Sequence, residues 1–194
     1  TMNTACAKHA FGKSAKDKIF GANAAAVEAI AKYGKDNVVN ATIGAILDED
    51  EQLVCLPVVE KVFRNLPTNE IIAYAPISGL PDYLEAVLVA AFGESRPNAH
   101  LAAVATAGGS GAIHHTLWNY LDEGEAALCS DWYWGAYSVL CKDLHRGFTT
   151  YKMLDENNKF NLADLKEKVF ALLEKQDNLV YLLNTPAHNP TGYS

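Results

Sequence analysis

The rhythm of the second half of this 194-residue chain constrains its fold more than any other feature. From residue 101 onward, short apolar runs without polar alternation take turns with segments of helical spacing. Leu101–Ala107 (LAAVATA), Ala126–Ser130, Thr149–Leu154 and Leu179–Asn184 (LVYLLN) are the runs. Ala112–Leu121, Ala136–Leu144 and Asn161–Lys175 are the helical segments that separate them. A strand with one wet face alternates polar and apolar side chains, whereas a strand covered on both faces does not. Covered strands joined by helices make a mostly parallel sheet with flanking helices, so the expected fold class is α/β.

The first half is less regular. Asn23–Tyr33 reads as a helix closed by Gly34. The short apolar run Val38–Ile43 leads into Gly44, and the acidic stretch 48–51 reads as a solvated turn. Pro57–Asn65 has helical spacing, with Val58, Val59, Val62 and Phe63 on one stripe. Tyr74–Pro81 is a loop by its Pro and Gly content. Pro81 then suits the first turn of a helix over Asp82–Phe92.

Composition removes several classes. At 49% hydrophobic and 20% charged, the chain is neither disordered, collagen-like nor a coiled coil. Apolar stretches such as Ala86–Phe92 fall far short of the ~20 residues of a membrane helix, so no membrane partner is expected. A net charge of −7 with no Lys/Arg cluster argues against a nucleic-acid partner. No basic segment and cleavage site opens the chain, so no secretory signal is expected. Cys6, Cys55, Cys129 and Cys141 form no CxxC pair and have no histidines at zinc spacing. They read as free thiols of a reducing compartment, and the expected location is the cytoplasm. No metal site is expected.

Three constellations could carry chemistry. Gly108-Gly109-Ser110-Gly111 lies between an apolar run and a helix. Glycines let backbone approach a ligand closely, and a helix start offers free N–H groups and a positive dipole end, so the turn suits phosphate. The bland reading is a tight strand-to-helix turn. A dinucleotide fingerprint would place Asp131 as its acid, but its last glycine would be His114. A hydrolase elbow GxSxG is missed by one residue, although His188 follows in the right order after Asp155, Asp164 or Asp177. A phosphorylated cofactor of another kind is the third option.

Asp131-Trp132-Tyr133-Trp134-Gly135-Ala136-Tyr137 follows the second apolar run. Carboxyl ends of parallel strands are where ligands sit, and an aromatic there can stack on a flat ring or simply fill core. His188-Asn189-Pro190-Thr191-Gly192 follows the fourth run, where proline fixes the backbone that aims Asn189. His188 itself reads as packed or paired locally. The adjacent His114 and His115 point about 100° apart on a helix and cannot grip one ion together.

In this order and spacing the motifs resemble the first half of a class I aminotransferase, a fold-type-I enzyme that uses pyridoxal 5′-phosphate. The similarity begins near residue 38. It implies that Asn189, of Asn189-Pro190-Thr191-Gly192, hydrogen-bonds the cofactor's ring oxygen, and that Gly108, Gly109 and Ser110 form the phosphate cup. Trp134, of Trp134-Gly135-Ala136-Tyr137, would stack on the ring, with Tyr133 as the alternative. Tyr74 would reach the phosphate of a partner subunit in a homodimer with shared active sites. Gly44 would lie over the substrate, which Trp134 and Asn189 also border. The resemblance further implies residues 1–45 as part of a small domain and 46–194 as the first part of a three-layer large domain. The implied reaction moves an amino group between an amino acid and a 2-oxo acid.

The family's cofactor-linking lysine lies beyond NPTG, and no lysine here takes its position. The aspartate that pairs with the pyridine nitrogen and the arginine that clamps the substrate carboxylate are also absent. The expectation is therefore a catalytically incomplete piece of a longer enzyme, inactive alone. Two alternatives remain open: a serine hydrolase using Ser110 and His188, and a non-catalytic module that binds a phosphorylated small molecule.

Overall fold

A computed structural model describes residues 7–8, 18–50 and 52–194. Cys6 and Glu51, both singled out above, lie outside the described residues. The chain divides into two compact units, Thr1–Ala73 and Tyr74–Ser194.

In the first unit, α1 spans Lys18–Tyr33, about a turn and a half more than the Ala-rich run suggested. Gly21 lies inside this helix, at a cost of about 1 kcal/mol relative to alanine. Gly34 closes the helix at φ +85°, its N–H donating to Ile30 O at 2.8 Å. Val38–Ile43 forms no strand. Its polar members turn inward on their own neighbours: Thr42 Oγ1 donates to Asn40 Oδ1 at 2.7 Å, and Asn40 Nδ2 to Asn23 Oδ1 at 2.9 Å. The acidic turn is held by Asp48, whose carboxylate accepts from Asp50 N and Gln52 N at 2.9 and 2.8 Å. Proline opens α2 (Pro57–Arg64), and a short α3 (Thr68–Ile72) follows Pro67.

In the second unit, α4 (Pro81–Phe92) follows the 74–80 loop. Leu101–Ala107, expected as a strand, is not one: the bond from Ala105 N to Ser78 O at 2.8 Å is its tie to that loop. A strand is defined by a ladder partner, and none stands beside this run among the described residues. The close approach leaves room only for glycine at Gly79, where φ is +106° and a Cβ would sit 2.9 Å from that of Ala105. Next come α5 (Gly108–Tyr120), β1 (Ala126–Ser130), α6 (Ala136–Asp143), β2 (Gly147–Tyr151), α7 (Leu162–Leu173) and β3 (Tyr181–Leu182).

The strands form a fully parallel sheet in the order β2-β1-β3, with Ala126 opposite Gly147 and Leu128 opposite Tyr181. The run Leu179–Asn184 thus forms an edge of this sheet, and β1 is its centre. On one face, Leu117 and Leu121 at the end of α5 and Cys141 of α6 close over Ala127 and Val180. On the other, Leu172 of α7 covers Leu128 and Tyr151, flanked by Leu165 and Val169. The result is three layers, helices–sheet–helix, as the unbroken apolar runs predicted. At its start, β1 is held by a side chain: buried Gln176 accepts from Ala126 N at 2.9 Å and donates to Ala126 O at 3.0 Å.

Candidate functional site

Parallel strands bring their carboxyl ends to one edge, and the polar residues that interrupt the apolar runs gather there. Ser130 ends β1, Tyr151 ends β2, and Asn184 follows β3. A cleft of about 320 Å³ opens at this edge, lined in part by Ser130, Tyr151, Met153, Leu182, Asn184 and His188. Trp134, Asn189 and Ser110 do not line it.

The glycine-rich turn is itself the start of α5, four residues earlier than the helical spacing suggested. Gly108 takes φ +66°, and its N–H turns back to Thr106 O at 2.8 Å. Gly111 N donates to Ala107 O at 3.2 Å. Between them, the N–H groups of Gly109 and Ser110 and the Ser110 hydroxyl meet no acceptor among the described residues. A Cβ at Gly108 or Gly109 would find nothing within 4 Å. No acidic residue occupies the first turn. The turn is therefore an exposed, uncompeted set of donors at a positive helix end.

In the aromatic segment, Trp132 is exposed. Tyr133 packs edge-on against Phe148 of β2, centroids 4.8 Å apart, and Trp134 stands at 89° to Tyr137, 5.6 Å away. Tyr137 is buried, and burial raises its phenol above the usual range; the Cys129 thiolate would add to this, while the neighbouring Asn184 side chain opposes it. Burial pushes the Cys141 thiol up to about 11 and raises Cys129 as well, so both stay protonated and poorly nucleophilic at neutral pH. The Tyr151 phenol is also raised, first by burial and then by its 2.8 Å bond to the Tyr181 hydroxyl.

Asn189 lies in a loop that folds back on itself. His188 N donates to Tyr193 O at 2.8 Å, and Gly192 N donates to His188 O at 2.6 Å with Gly192 at φ +71°. The Thr185–Pro186 and Asn189–Pro190 bonds are cis. The Asn189 N–H donates to Asn184 Oδ1 at 2.7 Å. His188 is 6% exposed, with Nε2 3.3 Å from Ser130 Oγ and Nδ1 2.9 Å from Thr191 Oγ1. One partner, Thr191, is local as expected, whereas the other, Ser130, lies 58 residues earlier at the end of β1. Tyr74 is fully exposed in its loop, and Gly44 is exposed in the first unit with open space around it.

This arrangement does not support the hydrolase alternative. Both ring nitrogens of His188 face the hydroxyls of Ser130 and Thr191, and neither faces Ser110. Two of the three candidate acids are occupied elsewhere: Asp155 accepts from Asn157 N and Lys159 N, and Asp164 accepts from Lys152 N. Asp131 likewise has a structural task, accepting from Met153 N at 2.9 Å. Ser130 and Asn184 were missed in the sequence, although a polar residue closing an apolar run at a strand's carboxyl end was the available signal.

The sequence matches the family described as aminotransferase class I and II over residues 36–194. No curated protein matches it. Among solved structures, it is similar to an aminotransferase from Anaerococcus prevotii, with 36% identity and a TM-score of 0.93 over 98% of this chain and 47% of that one. A mitochondrial aspartate aminotransferase from Trypanosoma brucei is 26% identical, with a TM-score of 0.62 over 78% of this chain and 40% of its own. A psychrophilic aromatic amino acid aminotransferase from Psychrobacter sp. B6, at 24% identity and a TM-score of 0.70, shares the fold over 93% of this chain and 46% of its own. The chain thus spans less than half the length of each of these structures. Motifs, three-layer fold and family match agree over most of its residues, and the chain belongs to the class I and II aminotransferases.

Proposed function

We propose that this chain is the first part of a pyridoxal-phosphate-dependent aminotransferase that moves an amino group between an amino acid and a 2-oxo acid. The observation that carries the reading is the start of α5. Two backbone N–H groups and a serine hydroxyl without acceptors, with open space at two glycines and no competing carboxylate, form a cradle that fits a phosphate dianion. The family match over residues 36–194 supports the remaining assignments. When bound, pyridoxal phosphate supplies an electron-withdrawing ring that drains negative charge from the substrate's α-carbon.

In this reading Gly108, Gly109 and Ser110 bind the phosphate and Trp134 covers the ring face. Asn189 donates to the ring oxygen, and Gly44 leaves room for the substrate. The exposure of Tyr74 in a Pro- and Gly-containing loop suits a side chain that reaches a partner subunit's phosphate, as a homodimer with shared sites requires. The lysine that engages the cofactor would come from the rest of a longer chain, and the 194 residues alone would be inactive. The domain division at 45/46 and a cytoplasmic location belong to the same proposal. Among the described residues, no helix is long and apolar enough to cross a membrane.

The test uses the full-length enzyme. It should show a cofactor absorbance band that borohydride shifts, and Ser110→Ala should weaken cofactor binding by about 1.5–3 kcal/mol, the value of a hydrogen bond to a charged group. A colourless protein that pyridoxal phosphate cannot reconstitute would overturn the reading.

A further inference from the structure

The polar chain behind Asn189 has a direction, which follows donor by donor. The carbonyl oxygen of Trp132 can only accept, so Ser130 Oγ commits its one proton there. Ser130 Oγ therefore meets His188 Nε2 as an acceptor, and Nε2 carries the imidazole proton. In the neutral ring Nδ1 is then a lone pair, and Thr191 Oγ1 donates to it. Thr191 Oγ1 in turn accepts the N–H of Tyr193 at 3.2 Å. Each hydroxyl donates once and accepts once, and His188 in the middle is nearly sealed from water.

The two ends of this chain are informative. One is the backbone of the loop that carries Asn189, and the other is a carbonyl two residues before Trp134. The two groups proposed at the cofactor ring, separated by a long stretch of sequence, are thus coupled through one buried side chain. A second tie enters from β3, where Asn184 accepts from Asn189 N and lies beside Tyr137, the residue on which Trp134 stands. Two ties on adjacent residues remove the loop's freedom to rock about either one. A hydrogen bond from Asn189 to a ring oxygen tolerates only a few tenths of an ångström and about 30° of misalignment, so that freedom would matter.

We propose that His188 is a positioning residue: by bridging Ser130 to Thr191 it sets the aim of Asn189 relative to Trp134. The proposal rests on the pyridoxal-phosphate reading above. The bland alternative is a histidine that only stabilises the loop. In that case its loss would lower thermal stability without changing the electronic state of the bound cofactor.

The experiment takes the full-length enzyme loaded with pyridoxal phosphate, without substrate, and titrates the cofactor's absorbance with pH. His188→Leu should raise the midpoint by about one unit, because a loosely aimed Asn189 favours the anionic ring oxygen less. The same substitution in an Asn189→Ala background should add less than about 0.3 unit, since the bond it tunes is already gone. Ser130→Ala, a smaller change in volume, should reproduce the shift if His188→Leu does not fold. Equal shifts in both backgrounds, or no shift at full cofactor loading, would overturn the proposal. Imidazole nitrogen resonances of histidine-labelled protein test the chain of donors separately. A His188 proton on Nε2 is expected, and a proton on Nδ1 refutes the chain whether or not cofactor binds. Failure of the wild-type enzyme to take up pyridoxal phosphate strikes instead at the functional reading on which this one rests.

Discussion

The two units of the chain use similar residues to different ends. Tyr74–Ser194 folds around a sheet with two apolar faces, and Leu117, Leu128, Cys129 and Cys141 are fully enclosed. In Thr1–Ala73, no described residue is buried, although α2 carries Val58, Val59, Val62 and Phe63 on one stripe. Apolar content is therefore not what separates them. A sheet offers two broad surfaces that helices can close from either side, whereas three helices with no shared partner leave each stripe facing water.

The difference between the two units is largest in their cores. Leu117→Ala in this 194-residue chain should cost about 2–5 kcal/mol of stability, as a fully enclosed leucine does when a cavity replaces it. Val59→Ala on the exposed stripe of α2 should stay within about 0.5 kcal/mol. Urea unfolding of the two variants checks both figures, and equal losses would mean that the first unit has a core of its own.

A smaller effect is expected at Gln176. Its amide satisfies both backbone groups of Ala126, and Gln176→Leu would leave a half-buried N–H and C=O unpaired, at about 1 kcal/mol, the low end of the ~1–3 kcal/mol range for buried groups. The same denaturation series reads this loss, and amide exchange should quicken first at the start of β1.

The mildest test is chemical. Iodoacetamide at pH 8 should label exposed Cys55 at once, while Cys129 and Cys141 react only as the second unit opens. Because burial raises the Cys141 pKa from the ordinary 9.0 to about 11, its contribution to stability is intact below about pH 9. It is lost as pH rises through about 11, since the unfolded thiol ionises first. Melting temperatures across that window should fall in the wild type more than in Cys141→Ala.

How far the sequence foretold this structure depended on the range of the interactions involved. β1, β2 and the helices α5–α7 were legible because burial on both faces leaves a mark on every residue of a strand. Leu101–Ala107 carries the same mark without forming a strand, since a run's composition cannot reveal whether a partner stands beside it. The chemistry proposed for Gly108–Ser110 and Asn189 rests on motifs that are local in the sequence. The link through Ser130 and His188 was not, because two residues far apart in sequence meet only once β1 and β3 have paired. His188 looked local because half of its bonding, to Thr191, is local.

Gln176 has a further consequence for association. In a strand, residues two apart turn their N–H and C=O groups to the same side, and Leu128 already uses that side to receive β3. The Gln176 amide therefore stands where one more residue of β3 would pair, closing the sheet's entrance with a side chain. A wandering peptide strand finds no free backbone at that corner to template upon. Strand addition is thereby left to the two outer flanks of the sheet, those of β2 and β3, and beside the latter Leu183 is exposed.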